Sequence, residues 1–267
     1  MLVLLLIAIC GAIASQIVSR VVRLSGQAAD AQRELQHRWA AVSIRRTALN
    51  TASKLLTNQE NSIERPLAKR SFSILLGKAR YNISVHDESA KLPLIQTIAR
   101  FPMERAKEPI RALVGNQAIV KSIIPKHPTM LSDIVDRPEY ATASESLRSW
   151  ESIAQQLTLW SDGRINVRAA DKETLDQLWQ LRFNGNAPAE LMAYRELPNA
   201  SVFTDTFRAL GLSSAQTQFA MEWLTTESNT YSLWVDSTNN LGSSFTAIYV
   251  RRRSLGFADE QFGYHYP

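Results

Sequence analysis

Cysteine is almost absent from this sequence, since Cys10 is the only one among 267 residues. A single cysteine excludes an intramolecular disulfide, and it cannot build the multi-ligand zinc sites of small metal domains. The four histidines, His37, His86, His127 and His265, lie in separate segments and form no metal-binding motif. Cysteine usage therefore gives no information on the redox compartment in which the chain folds.

Known catalytic motifs are also absent. The sequence contains no Gly-x-Ser-x-Gly turn, no His-Glu-x-x-His helix and no Gly-x-x-x-x-Gly-Lys phosphate loop. Its composition, 45% hydrophobic and 21% charged, is nevertheless that of an ordinary folded protein. His86 stands next to Asp87 and Glu88, and we interpret it as a surface histidine at the end of a strand. We therefore predict a protein that is not an enzyme and needs no cofactor.

Charge and proline are missing from the first part of the chain. No charged residue occurs before Arg20, no acidic residue before Asp30 and no proline before Pro66. The first 19 residues are almost all apolar, and as a helix they would span roughly 28 Å, close to the hydrocarbon thickness of a bilayer. We therefore predict a membrane anchor at 1–19, formed by these side chains: Leu4, Leu5, Leu6, Ile7, Ile9, Ile13 and Ile17.

Two other interpretations of the apolar run remain open at this point. A cleaved signal peptide would use the small residues Ala12 and Ala14 ahead of Ser15. A lipoprotein would use Cys10, but Ile9 occupies a position where such signals need a small residue. The retained anchor is favoured because the helical pattern continues with the same character beyond the cleavage position.

The segment that follows, 20–65, has the pattern of a long helix that carries one apolar stripe among charged residues. Leu35, Trp39, Val42 and Leu49 recur at helical spacings of three, four and seven. We predict that these four side chains pack on the sheet of the soluble domain.

Strand patterns flank a long helical segment in the rest of the chain. Alternating or β-branched runs predict two early strands and three late ones, at 71–76, 79–85, 230–236, 243–252 and 261–266. The sequence between them is helical in pattern, but Pro102 and Pro109 are expected to interrupt it. Asp171 and Ser213 are in the right places to cap two of its helices.

This order predicts an α+β fold, because early and late strands separated by helices favour one sheet with an inserted helical block. The N-terminal helix is expected to pack on the antiparallel sheet, and the insertion is expected to be all-helical. The predicted parts are an anchor at 1–19, a helix extension at 20–65 and the first strands at 66–92. The insertion follows at 93–212, and a last helix with the late strands at 213–267.

Four stretches resemble, in the right order, segments of one protein family. The first is the apolar helix that runs into a soluble rod. The second, 87–94, is similar to the family's segment acidic-x-Gly-Lys-x-Asn-Leu-Asn. The third, 157–170, is similar to its segment Leu-Thr-Val, a short turn, and Gly-Lys-Ile-Asn-Val-Asn-Thr-Ala. The fourth, 224–233, is similar to the family's terminal strand. That family is the minor pseudopilin K of type II secretion systems, or general secretion pathway protein K. The residues that carry the motifs are Asp87, Glu88, Lys91, Asp162, Gly163, Ile165, Asn166 and Ala169.

The resemblance implies a fold and a role. It implies a pseudopilin sheet, a helix-hairpin-helix-like or SAM-like insertion, and a subunit that caps or nucleates the tip of a pseudopilus. The implied partners are other minor pseudopilins and the major pseudopilin. The implied location is the inner membrane, with a single span and the bulk of the chain in the periplasm.

One absence agrees with the tip position that the resemblance implies. Most pseudopilins carry a glutamate near the start of the anchor, where it neutralises the amine of the subunit above. This chain has Leu5 there. A tip subunit has no neighbour above it, and an unpaired carboxylate in hydrocarbon would cost several kcal/mol.

The resemblance leaves two further expectations. In DNA-binding relatives of the helical insertion, a Gly-rich hairpin binds phosphate, but the hairpin at 182–186 retains only Gly185. Nucleic acid is therefore not an expected partner, and a DNA-binding protein of an uptake pilus is the alternative function. Pseudopilins often bind calcium in loops near the sheet, which makes Asp236, Asn239 and Asn240 candidate ligands by resemblance. One carboxylate makes a weak site, so an Asx-rich turn is the favoured interpretation of these residues.

Overall fold

The computed structural model describes these residues: 2–60, 66–77, 79–115, 119–125, 128, 131–136, 152–195, 211–238, 244–252 and 260–266. The chain divides into two compact units, Met1–Arg46 and Thr47–Pro267. The first unit is helical throughout its described length, and the second contains the strands.

A single helix, α1 (Leu2–Glu60), opens the chain. It extends this far because good helix formers dominate and no proline intervenes before Pro66. Ile9, Ile13 and Ile17 are each more than half exposed, whereas the side chains of Leu4, Leu5, Leu6 and Ile7 lie outside the described part of the structure. Within the residues that the structure describes, no helical segment combines the length and apolarity that a membrane span requires.

The four residues of the predicted apolar stripe of α1 differ in exposure. Leu35 and Trp39 are more than half exposed, Val42 is half-buried, and the side chain of Leu49 lies outside the described residues. Their packing on the sheet stays a prediction. The buried side chains of α1 are mostly small: Ala40, Ala41, Ile44 and Ala52. Ile44 follows Trp39 by five residues, which places it roughly 140° further around the helix. The helix therefore has two apolar sides, and spacing alone could not decide which one is covered.

The first two strands form a hairpin, as predicted. β1 (Lys69–Leu76) and β2 (Ala79–Asp87) pair antiparallel over their full overlap. Gly77 occupies the turn with a φ of +63°, a conformation that costs glycine little. β2 is buried toward its end, where it leads into a short 3₁₀ turn at Glu88–Ala90.

A block of short helices and two-residue strands follows. In chain order it contains β3 (Leu92–Pro93), α2 (Leu94–Arg100), α3 (Met103–Val114), β4 (Ile119–Val120), β5 (Val135–Asp136), β6 (Leu157–Thr158), β7 (Ile165–Asn166), α4 (Lys172–Phe183), α5 (Ala189–Arg195), α6 (Ser214–Trp223) and β8 (Leu224–Thr225). The small strands pair as β3 with β6, β4 with β5, and β7 with β8. The described part of the insertion is therefore mostly helical, not all-helical as expected.

The helix boundaries follow local chemistry. Asp171 caps α4 by accepting a hydrogen bond from the Thr174 amide at 2.7 Å, and Ser213 with Gln216 forms a capping box on α6. Pro102 separates α2 from α3, as predicted. Pro109 was expected to interrupt the helix as well, but it lies buried inside α3, so packing outweighs the hydrogen bond that it cannot donate.

The early and late strands share one sheet, as predicted. β9 (Thr230–Thr238), β10 (Ser244–Arg252) and β11 (Glu260–Tyr266) form the expected antiparallel meander. β9 also pairs antiparallel with β2, which gives the strand order β1-β2-β9-β10-β11. The mixed helix and sheet architecture with its long N-terminal helix is therefore α+β.

The main core lies in the helical block. Aromatic rings pack there, with Trp179 and Phe183 of α4 edge-to-face against Phe219 of α6. Phe101, just after α2, lies tilted against Trp223 of α6. α6, which we had assigned with the late strands, thus contributes to this core. A smaller cluster connects the sheet to the helical residues 152–156. Its members are Ala154 from that helical segment and Trp234, Ile248 and Val250 from the sheet.

Candidate functional site: a buried polar junction

Three distant segments of the chain meet where β2 ends. The pairing of β2 with β9 sets Asp87 opposite Tyr231, which brings the residues just before β9 to the end of β2. The parallel pairing of β7 with β8 sets Ile165 opposite Leu224 and Asn166 opposite Thr225. Side chains from all three segments form a network that we call the polar junction: Asp87, Glu88, Ser89, Lys91, Asn166, Ser228 and Ser232.

Asp87 is the centre of the junction. Its Oδ1 accepts a hydrogen bond from the Ser89 amide at 2.9 Å, so it caps the 3₁₀ turn. Its Oδ2 accepts a short hydrogen bond from the hydroxyl of Ser228. Asp87 and Ser228 are 2% exposed. A hydrogen bond to a buried carboxylate is stronger than one between neutral groups, so this contact ties β2 to the start of β9.

Asn166 connects the helical block to the same hydroxyl. Its Nδ2 donates to Ser228 Oγ at 2.8 Å, while its Oδ1 accepts from the backbone amides of Arg168 at 3.0 Å and Ala169 at 3.4 Å. Both ends of the side-chain amide are therefore used. An aspartate here would lack the donor for Ser228, and a leucine would leave two backbone amides without this acceptor.

Glu88 and Lys91 form a buried ion pair beside Asp87. Lys91 Nζ lies 2.5 Å from Glu88 Oε1, and both side chains are almost fully buried. Ser232 also donates to Glu88 Oε1, and Trp234 Nε1 donates to Ser232 Oγ at 3.0 Å. Removing one member of a buried ion pair typically costs about 3–5 kcal/mol, because the other charge is left uncompensated.

His86 was expected on the surface, but the structure buries it in β2. Its ring stacks on Trp234 with centroids 5.3 Å apart, and it is 1% exposed. Burial, and then the positive charges of Lys91 and Lys69, lower its pKa to about 2. The imidazole is therefore neutral at physiological pH. The expectation failed because β2 runs on to Asp87 instead of ending before His86.

The Asp162-Gly163 turn attaches at the edge of the junction. Asp162 Oδ1 accepts from the Arg164 amide at 3.1 Å, and its Oδ2 accepts from Asn229 Nδ2 at 2.9 Å. Gly163 has a φ of +96°, and a Cβ there would lie 2.5 Å from side-chain atoms of Gln96. The turn therefore needs glycine for two separate reasons, its backbone conformation and its close packing.

The structure brings most of the predicted motif residues together. Asp87, Glu88, Lys91 and Asn166 are in the polar junction and Asp162 attaches to it; Ile165 and Ala169 are buried nearby. The sequence analysis did not single out the serines that complete the network, Ser89, Ser228 and Ser232. The sequence offered little reason to select these serines, because serine is common on protein surfaces. Two of them, Ser228 and Ser232, do lie in the fourth family-like stretch.

The structure describes one of the three candidate calcium ligands, and that one lies in a strand. Asp236 lies within β9, half-buried and paired with Asn82 on one side and Thr246 on the other. Asn239 and Asn240 lie outside the described residues. Among the residues that the structure does describe, no group of three or more His, Cys, Asp or Glu side chains could hold a metal ion.

The hairpin between α4 and α5 is occupied by contacts within the chain. Asn184 ends α4 in the left-handed conformation with a φ of +54°, and its Oδ1 accepts from Arg105 at 3.3 Å. The Ala187 amide donates to Asp176 Oδ1 at 2.9 Å. An amide that could face a phosphate in a DNA-binding hairpin is thus bonded to a carboxylate of the same chain.

The polar junction is suited to holding segments together. Its hydroxyls, carboxylates and lysine are buried, and its hydrogen bonds join side chains up to 144 residues apart in sequence. A buried and connected polar network specifies one arrangement of the segments that it joins, because each unmade bond would leave a costly unpaired group.

Of the comparisons with known proteins, only the one with solved structures gave matches. No family model matches the chain, and no curated protein matches it. One similar solved structure is the GspK-GspI-GspJ complex from the enterotoxigenic Escherichia coli type 2 secretion system. The match has 15% sequence identity and a TM-score of 0.49, and it covers 88% of this chain and 99% of the other. A likeness this distant identifies neither the family nor the function of the chain.

Proposed function

We propose that this chain is a non-enzymatic, membrane-anchored assembly subunit of the minor pseudopilin type, which caps or nucleates the pseudopilus tip of a type II secretion system. The observation that carries the proposal is the convergence of the family-like stretches in the polar junction. Asn166 and Asp87 both bond Ser228, and Asp162 bonds the adjacent Asn229. Chance resemblances in three short motifs would have no reason to meet in one buried network.

The proposed anchor is the first part of α1, residues 1–19. Its support is the apolar sequence before Arg20 and the continuous helix that carries it into the rest of the chain. We propose a single span of the inner membrane with the bulk of the chain in the periplasm. Arg20 and Arg23 follow the span, which by the positive-inside rule favours the opposite orientation. A reporter fused after Pro267 that is active only in the cytoplasm would overturn this topology.

The proposed partners are other minor pseudopilins and the major pseudopilin, held through α1. The exposed side chains Leu35 and Trp39 support helix-to-helix packing, because large apolar groups on a charged rod gain free energy when a second helix covers them. Nucleic acid and small-molecule substrates are not part of the proposal. Calcium binding stays a prediction that rests on the family resemblance.

The test is co-purification of the full chain with the minor pseudopilins encoded beside its gene. We expect a complex that weakens when Leu35 and Trp39 are both changed to Ser, but not when the exposed Ile119, in the helical block, is changed to Ser. Deletion of the gene should stop secretion through the system. Normal secretion without the gene, or no complex with any pseudopilin, would contradict the proposal.

A further inference from the structure

β1 is an edge strand without the usual protection against pairing. Among the described strands it stands at one end of the sheet order, and its pairing with β2 runs without a register shift from Lys69 opposite His86 to Leu76 opposite Ala79. Edge strands are normally protected by a proline, a bulge or a central charge. The segment Ser71–Leu76 contains neither proline nor charge.

The same strand exposes large apolar side chains. Leu75 is 68% exposed, Phe72 43% and Leu76 39%. Phe72 stands opposite Ile83 of β2, and Ile83 is fully buried. The apolar surface of the sheet therefore continues outward to β1, where it meets solvent in place of another strand.

The charge around this edge has one sign. Between Arg65 and His86 the sequence contains no aspartate or glutamate. Its basic residues flank the uncharged segment Ser71–Leu76 in sequence, with Arg65, Lys69 and Arg70 before that segment and Lys78 and Arg80 after it. A second copy of β1, paired in either direction, would bring basic ends next to basic ends. Like charges opposite each other across a strand pair are destabilising.

We propose that β1 is a docking edge for an extended segment of a partner protein, which adds a sixth strand to the sheet. The segment would have alternating apolar residues, to cover Phe72 and Leu76, which lie on the same face of the sheet as Ile83. It would also have carboxylates at its ends. Backbone hydrogen bonds would supply much of the affinity, and the apolar and charged side chains the specificity. The inference uses only β1 and its surroundings, so it stands apart from the proposed function and from any role of α1.

The experiment measures amide hydrogen exchange of the full chain in a mild detergent, with a synthetic nine-residue peptide as the probe. The peptide has the sequence Asp-Glu-Val-Thr-Ile-Thr-Val-Glu-Asp. We expect it to slow exchange within Lys69–Leu76 more than elsewhere. Two control peptides share its pattern: one has Lys in place of each acid, and one carries N-methyl groups on alternate backbone amides.

The protein variant is Phe72→Thr with Leu76→Thr, which removes both exposed apolar side chains from one face of β1. Threonine favours strands and both sites are exposed, so the fold should persist. Its affinity for the acidic peptide should fall at least about tenfold. The matched control is Leu67→Thr, which removes a similarly exposed leucine just outside β1 and should leave affinity unchanged.

Four results would overturn the inference. The first is that the acidic peptide gives no protection of β1. The second is that the N-methylated or the lysine peptide protects β1 equally well. The third is protection of β1 that rises with protein concentration in the absence of peptide, which would identify a second copy as the occupant. The fourth is equal protection by vesicles of anionic lipid alone, which would identify a membrane surface.

Discussion

At the scale of single residues, the bond between Asp87 and Ser228 ties the end of β2 to the start of β9, and Asn166 of the helical block donates to the same Ser228 hydroxyl. Asp87→Asn keeps the size of the side chain but removes its charge, and it should lower the free energy of unfolding by about 1–3 kcal/mol. The measurement is urea unfolding in a double-mutant cycle with Ser228→Ala. Because the two side chains share one hydrogen bond, their effects should be less than additive.

The control for this cycle is Asp30→Asn, at an exposed carboxylate of α1. It should change stability little, since exposed ion pairs contribute about 0–1 kcal/mol. If the Asp87 and Ser228 substitutions are strictly additive, their bond does not link the two segments.

His86 predicts acid sensitivity. Its pKa in the folded chain is about 2, below the ordinary value of 6.5, so the unfolded chain binds a proton that the folded chain does not. Its contribution to stability is therefore fully present above about pH 6.5 and is lost as the pH falls toward the folded pKa. The free energy of unfolding should decline by up to about 1.4 kcal/mol per pH unit below 6.

The check is to compare His86→Gln with the unmodified chain between pH 7 and 4.5. The variant should be less stable at pH 7 but should lose less stability on acidification. His37→Gln, in α1, should keep the full decline. An unchanged slope in His86→Gln would mean that another group causes the acid sensitivity.

The sequence predicted some residues of the junction and missed others for a physical reason. Asp87, Lys91 and Asn166 stood out because they lie in stretches that resemble the family's motifs. His86 and Ser232 did not, because their burial depends on β9 pairing with β2, a contact between residues more than 140 apart in the chain. Local sequence does not encode which strand will cover a given side chain.

At the scale of elements, the turn at Gly163 should tolerate substitution less than other glycines of positive φ. Gly163→Ala meets both backbone strain and the Gln96 side chain, whereas Gly211, with a φ of +67°, has no atom within 4 Å of an added Cβ. Gly211→Ala should cost about 1–2 kcal/mol from strain alone, and Gly163→Ala should cost more. Thermal unfolding of both variants measures the difference.

The variant Gln96→Ala separates the two causes at Gly163. If contact with Gln96 contributes, Gly163→Ala should be less damaging in a Gln96→Ala background than in the unmodified chain. Equal damage in both backgrounds would leave backbone strain as the only cause, and Gly163→Ala would then resemble Gly211→Ala.

Elements with a strong local pattern were predicted well. Both hairpin strands, the C-terminal meander and the caps at Asp171 and Ser213 follow from alternation, turn residues and side-chain hydrogen bonds within a few positions. The positions of the buried side chains on α1 were not predicted, because the small residues around Ala41 and the large ones around Trp39 recur with the same helical period.

At the scale of the whole molecule, the order of elements was enough to predict one sheet from two early strands and three late ones. Strands at both ends of a domain with helices between them have few ways to bury their apolar faces other than pairing with each other. The two-residue strand pairs, such as β7 with β8, could not be predicted, because two residues carry no periodic signal. These short pairs join segments of the helical block to each other, and the polar junction bonds Asn166 of β7 to Ser228 just before β9.

The proposed tip position gives the last prediction, which depends on the proposed function. A subunit that caps a filament contacts neighbours only below it, so a carboxylate in its anchor would meet no amine. Leu5→Glu should therefore weaken anchoring or assembly, at a cost of up to about 2.5–3.5 kcal/mol and less if the site lies near the end of the span. It should not convert the chain into a repeating subunit.

The measurement is a secretion assay combined with cross-linking to the other minor pseudopilins, with Leu5→Met as the apolar control. We expect Leu5→Met to behave as the unmodified chain and Leu5→Glu to lose cross-links and secretion. A major pseudopilin should respond in the opposite sense, since it needs its glutamate to neutralise the adjacent amine. If Leu5→Glu polymerises into homogeneous filaments, the tip position is wrong. That result would mean that the chain is a repeating subunit that lacks only the acid.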